Sequence, residues 1–276
     1  KLLASGDPSA SASESAGILG VNLLYGCMFY HDDPKALIKQ LFDNISQGHV
    51  QIDMIQMNGP EFEDVDNRLL SLFLVKEKMT NAVIFGPDGV NLQPSDVLYK
   101  KNILAIRGSF RPVTKVNIDM IKNGYNKFIL EKRVTKNNLQ VLFEITLSNL
   151  STDGEIDEQD FLARADILCS LGQTVLVSNY QQYYKLLDYF SQFSTKRMGI
   201  ILGVPNLKQI FEEKYYRHLN GGILEAFGRM FNRDLKVYLY PYQKQVDGEL
   251  TNSTNLQIHP RFRPLYEYLT YNNRIV

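Results

Sequence analysis

Arg107-Gly108-Ser109-Phe110-Arg111 is a stretch of this 276-residue chain whose side chains could hold an anion. Two arginines in one short run can grip a phosphate or carboxylate bidentately. Gly108 lets backbone approach closely, and Ser109 offers a hydroxyl. Thr114 follows at the start of an apolar-periodic segment, where a helix N-terminus favours negative charge. Surface ion pairing of the two arginines is the competing reading. A second candidate is Val141-Leu-Phe-Glu-Ile-Thr-Leu147, where a period of two puts Glu144 and Thr146 on one face. A carboxylate inside such a run must be solvated, paired or used in chemistry. Glu144 is therefore the candidate general base, with a structural ion pair as the alternative, and Ser148 and Asn149 lie just beyond it. A third is Ser178-Asn179-Tyr180, where Ser178 or Asn179 can bind a ligand or simply cap the next helix. A fourth is Gly221-Gly222 before the segment Ile223–Phe227, with Lys214 and Tyr215 nearby in sequence. Two glycines ahead of a helix can expose N–H groups to a phosphate, or form a plain turn.

Several chemistries are excluded by what is missing. There is no G-x-x-x-x-G-K-[ST] phosphate loop, no G-x-G-x-x-G and no G-x-S-x-G elbow. His31, His49, His218 and His259 show no metal spacing and read as surface or capping residues. Asp153, Glu155 and Asp157 imitate the start of a calcium loop, but Glu158 replaces its glycine and Arg164 its final glutamate. Tyr183, Tyr184, Tyr189 and Phe190 recur at helical spacing and read as core.

Thirty basic residues balance thirty acidic ones, so no general field attracts nucleic acid or an anionic membrane. Cys27 and Cys169 read as buried, reduced thiols, which favours a cytoplasmic, reducing setting. The apolar stretch from Ala16 to Tyr30 is shorter than a membrane span of about twenty residues and reads as a buried helix. The chain begins with Lys1, and an upstream region is expected, which the chain could contact; a homo-oligomer is the other partner considered.

The elements that must position these groups alternate. Strands are expected at residues 50–55, 82–85, 103–106, 141–147, 174–178, 198–202 and 237–240, with Leu2-Leu3 as a conceivable eighth. Helices are expected between them. Asp33-Pro34 opens one that Gln47-Gly48 closes, Asp64 and Asp66 introduce another, and Thr114 caps a third. Gly86-Pro87-Asp88-Gly89 is a turn. Short apolar strands alternating with longer helices imply an α/β fold with a mostly parallel sheet, either a (βα)8-like barrel or an open doubly wound sheet. The organisation expected is a flexible segment 1–15, an α/β domain 16–242 and a C-terminal hairpin and short helix over 243–276. In both architectures ligands bind at the carboxyl ends of the strands.

Four stretches carry a family resemblance: Gly17-Ile-Leu-Gly-Val-Asn-Leu-Leu-Tyr-Gly26, Val65-Asp-Asn-Arg-Leu69, Arg107-Gly-Ser-Phe-Arg-Pro-Val-Thr114, and Glu213-Lys-Tyr-Tyr216 with Gly221-Gly-Ile-Leu-Glu-Ala-Phe-Gly228. They resemble a family of bacterial proteins sometimes labelled nicotinate-nucleotide adenylyltransferase. The nucleotidyltransferase motifs G-x-F-x-P-x-H-x-G-H and I-S-S-T-x-I-R are absent from this chain, and no catalytic residue is carried over.

Two functions follow as expectations. One is a cytosolic enzyme acting on a small anionic or phosphorylated metabolite, a nucleotide among them, with Arg107 and Arg111 holding the anion and Glu144 as acid–base group. The other is a non-catalytic binding or assembly module.

Overall fold

The computed structural model describes residues 8–45, 50–152, 155–243 and 248–276. Helices α1 (Pro8–Phe29), α2 (Pro34–Gln40) and α3 (Asn67–Lys76) precede the sheet. Strands β1 (Ala82–Phe85) and β2 (Asn91–Leu92) are followed by α4 (Pro94–Leu98), β3 (Asn102–Arg107), α5 (Lys115–Phe128), β4 (Leu139–Thr146) and the single turn α6 (Leu147–Leu150). A small ribbon of β5 (Ser151–Thr152) and β6 (Glu155–Ile156) leads into α7 (Glu158–Ser170), β7 (Val175–Ser178) and α8 (Tyr183–Ser191). Then come β8 (Met198–Gly203), α9 (Val204–Ile210), α10 (Gly222–Phe231) and β9 (Leu235–Tyr240). A hairpin of β10 (Tyr242–Gln243) and β11 (Leu250–Thr251) and the helix α11 (Arg263–Tyr271) finish the chain.

Seven strands form one open sheet in the order β2-β1-β7-β4-β3-β8-β9. The fold is a doubly wound α/β sheet, and the barrel alternative is set aside because the two ends of that order do not pair. The pairs β3–β4, β3–β8, β4–β7 and β8–β9 are parallel, as the crossover helices between them require. Residues along β3 alternate between faces: Ile103 and Ala105 join one core, Leu104 and Ile106 the other. Helices α3, α5 and α7 cover the second face, and α8, α9, α10 and α11 the first. Both faces are therefore dry, which is why the parallel strands read as near-continuous apolar runs.

Several expectations are corrected. Residues 50–55 form no sheet strand; Val50 makes a lone bridge, Ile52 donates to the Met79 carbonyl, and Gln51 reaches Thr80 through its side chain. The seventh place is taken by β2. It pairs antiparallel with β1 through the Gly86–Gly89 turn, where Gly86 N–H meets the Val90 carbonyl and Gly89 adopts φ +75°. β1 in turn runs antiparallel to β7, so one flank of the sheet departs from the parallel rule. Of the segment expected to be flexible over 1–15, residues 1–7 lie outside the described residues and the rest is helical from Pro8, a residue suited to the first helical turn and followed by alanines of high helix propensity. Leu2-Leu3, Gln47-Gly48, His49 and Asp153 lie outside the described residues. Helix α1 is not buried: Val21 is 65%, Leu24 69% and Met28 71% exposed. It is held to α2 by one side, where Asn22 donates to the Leu41 and Asp43 carbonyls and Gly26 meets Leu37. Cys27 on this helix is exposed as well, whereas Cys169 is buried. After the C-terminal hairpin, the short helix and the chain end pack on the sheet: Tyr266, Leu269 and Ile275 join the same core as α8 and α10, and Ile275 bridges Val237.

Candidate functional site

The strand order reverses at β3: the chain moves from it to β4 on one side and later returns to place β8 on the other. Such a switch point opens a crevice outside the carboxyl ends of the strands. Here it is a cleft of about 830 Å³. Its walls come from the β3–α5 loop, from α6, from the start of α8, and from α9 with the turn after it.

The floor is a stitched rim. Arg107 closes β3 and stands in register opposite Glu144 of β4. Its Nε donates to Glu144 Oε2 at 2.8 Å and its Nη2 to Oε1 at 2.8 Å. Ser178, the last residue of β7, donates its hydroxyl to the same Oε1 at 2.6 Å. The remaining Arg107 nitrogen, Nη1, donates to the Gln181 carbonyl at 2.8 Å, and the guanidinium lies 4.2 Å from the centre of the Tyr183 ring. Burial disfavours the Arg107 charge, but the facing Glu144 carboxylate outweighs it and holds the pKa above its ordinary value. Burial pushes the Tyr183 phenol up to about 12 against the pull of Arg107, so it stays neutral at working pH. A guanidinium has five N–H donors. The pairings above leave one hydrogen on Nη1 and one on Nη2 free to meet a ligand.

The loop above this floor is built around Phe110, which is buried, adopts φ +47° and packs against Phe143 at 5.3 Å. A left-handed backbone at a bulky residue is held only where its surroundings over-determine it. Gly108 is part of that frame: a Cβ there would come within 2.9 Å of the Phe110 ring. The close approach expected of Gly108 is thus used by Phe110, not by a ligand. From α7, the buried Arg164 donates Nη1 to the carbonyls of Ser109 (2.9 Å) and Asn149 (2.8 Å). Asn149 in turn donates to the Gly108 carbonyl at 3.3 Å. One arginine therefore pins the two loops that form this side of the cleft. Asp160, one turn before Arg164, pairs with it and also with Arg111 Nε at 3.3 Å.

Of the expected residues, Arg107, Ser109, Arg111 and Asn149 line the cleft, and Ser178 sits beneath it. Glu144 is brought to the same place but not into the cavity. It is 0% exposed, and both its oxygens are taken by Arg107 and Ser178, so it is a structural partner and not an available base. Asn179 does not line the cleft; its N–H donates to the Asn81 carbonyl. Lys214 is exposed beside Tyr215 and pairs with Glu212. Gly221 and Gly222 are also off the cleft, and the Gly221 N–H that could have met a phosphate is met by Glu225 at 3.0 Å. Tyr215, named beside Lys214 from the sequence, does line the cleft, and Asn206, Gln209 and Gln182 line it without having been foreseen. Gly203-Val204-Pro205-Asn206 follows a strand, so the strand-end rule that found Arg107 reaches it too. Arg164 had a weaker signal, its i, i+4 spacing from Asp160.

Among the described residues, no three or more His, Cys, Asp or Glu side chains are placed to hold a metal ion, and no helix is long and apolar enough to cross a membrane. No protein-family model matches the chain, and no curated protein matches it.

Proposed function

We propose that the switch-point cleft binds a small anionic metabolite, most simply one carrying a phosphate. One observation carries the reading: among the described residues the cleft is lined by two arginines and by no carboxylate. The N-terminus of α5 adds to it, since Thr114 and Asn117, the two halves of its capping box, also line the cavity. Neutral amides, hydroxyls and apolar side chains such as Ile106, Met120 and Ile210 complete the wall, so hydrogen-bond donors line the cavity with no carboxylate among them.

What the site does after binding follows from its inventory. Of the side chains that commonly transfer protons, tyrosines are present in the lining: Tyr183, Tyr215 and Tyr216. Among the described residues no His, Asp, Glu or Cys side chain lines it, and both Glu144 oxygens are engaged. This favours a binding module over an enzyme that uses Glu144 as its base. An enzymatic role is kept for chemistry that rests on orientation and charge stabilisation. The setting proposed is the cytosol, in keeping with two free cysteines.

Calorimetric titration with inorganic phosphate and ribose 5-phosphate tests the proposal. Binding is expected to weaken as salt rises, and Arg111→Ala is expected to lower affinity roughly tenfold, a typical loss for one charge-assisted contact. Arg111 is the better probe because its side chain is 57% exposed and its removal leaves no buried charge behind. Unchanged affinity in Arg111→Ala rejects the site.

A further inference from the structure

The two rims of the crevice differ in chemistry. The β3–α5 side carries Arg107, Arg111 and Ser109. The α9 side carries no charge in the lining; it presents Asn206 and Gln209 from the helix and Tyr215 just after it. Among the described residues no hydrogen bond engages the side-chain amides of Asn206 or Gln209, although both line the cavity. On the opposite rim Asn149 is bonded to Gly108 and Asn117 is spent on the Thr114 cap, while Gln182 at the start of α8 is a further amide in the lining without such a bond. A cavity of about 830 Å³ is also far larger than a bare phosphate, given that a water molecule occupies roughly 30 Å³. It falls in the range, about 300–1,000 Å³, of sites that enclose an organic ligand.

From these features, and resting on the anion-binding role proposed above, we infer that the ligand is a nucleoside phosphate, with its phosphate on the arginine rim and its base on the Asn206–Gln209 rim. Carboxamides are the side chains that answer a base edge, because each offers a donor and an acceptor side by side and can bond bidentately to adenine. Tyr215 supplies an aromatic ring on the same rim for a flat heterocycle. Asn206 and Gln209 become the specificity determinants, and Arg107 and Arg111 the anchors.

The test compares inorganic phosphate, ribose 5-phosphate, adenosine and the four common nucleoside monophosphates by calorimetry on the full chain. At least one monophosphate is expected to bind about tenfold more tightly than ribose 5-phosphate. Gln209→Leu and Asn206→Leu are expected to erase that advantage, each by roughly tenfold, while leaving ribose 5-phosphate affinity and the melting temperature unchanged. Arg111→Ala is expected to weaken every phosphorylated ligand together. If the monophosphates bind no better than ribose 5-phosphate, or if the amide variants weaken both alike, the base assignment fails and the anion site stands. If no phosphorylated ligand binds at all, both fail.

Discussion

Arg107 and Glu144 form a pair whose members cannot be judged separately. Glu144 stabilises the charged form of Arg107 in a place where burial would otherwise oppose it, and the two are joined by a bidentate ion pair. Arg107→Ala strands a buried carboxylate and is expected to cost about 3–5 kcal/mol, measured by urea unfolding. The double variant Arg107→Met/Glu144→Met is expected to recover most of that loss. A double variant as unstable as the single one refutes the account. Asp160 makes a different prediction, because it competes with any bound anion for Arg111. Asp160→Asn is expected to raise phosphate affinity a few-fold, roughly the worth of an exposed ion pair, which calorimetry can read. At this scale the strand-end rule located Arg107, Glu144 and Ser178 but not their relationship. A mutual pairing depends on strand register, and register is not written in the local pattern of any single strand. Gly221 failed for a related reason. The rule that helix starts attract anions does not say whether Glu225, four residues on, will claim the N–H first.

Helix and strand placement was legible where caps and periodicity agreed. Thr114 caps α5 with Asn117 completing the box, and Asp33, Asp66 and Asp157 each accept helix N–H groups at the starts of α2, α3 and α7. The misreading of residues 50–55 has a clear physical cause. β-propensity measures fit to a pleated neighbour, and the neighbour position went to β2, whose hairpin turn ties it directly to β1. Helix-on-sheet contact sets a sharper constraint on two glycines. At Gly199 of β8 an added Cβ would lie 2.8 Å from Leu104 and 2.9 Å from Phe128, and at Gly124 of α5 it would collide with Ile201. Both glycines let α5 lie close over β3 and β8, and so they help set where Thr114 and Asn117 meet the cleft. Gly199→Ala is expected to destabilise the fold by about 1–3 kcal/mol in thermal or urea unfolding. A neutral effect would mean that α5 is not packed as tightly as described.

Across the whole molecule, opposite ends of the sheet carry opposite tasks. The amino ends of β8 and the edge strand β9 are tied by Glu131, which binds Lys236 at 2.6 Å, accepts from Tyr238 and pairs with Arg197. Burial would raise the Glu131 pKa, but the Lys236 hydrogen bond and charge, with Tyr238 and Arg197, overcome it and hold it below the ordinary range. A carboxylate depressed in the folded state adds stability that is complete above its unfolded pKa, about 4.3, and is lost as pH falls through the lower folded value. Melting temperature is therefore expected to fall below about pH 4 in the wild type, with a shallower fall in Glu131→Gln. Equal slopes in the two proteins contradict this. The carboxyl ends show the other design. The tips of β3, β4 and β7 are already fastened together by Arg107, Glu144 and Ser178 before anything enters the cleft. A visiting molecule thus finds its socket assembled and has little chain to order on arrival. In stopped-flow mixing its capture should follow a single exponential whose rate climbs in a straight line with concentration. A plateau would reveal a hidden rearrangement that the fastened rim is built to avoid.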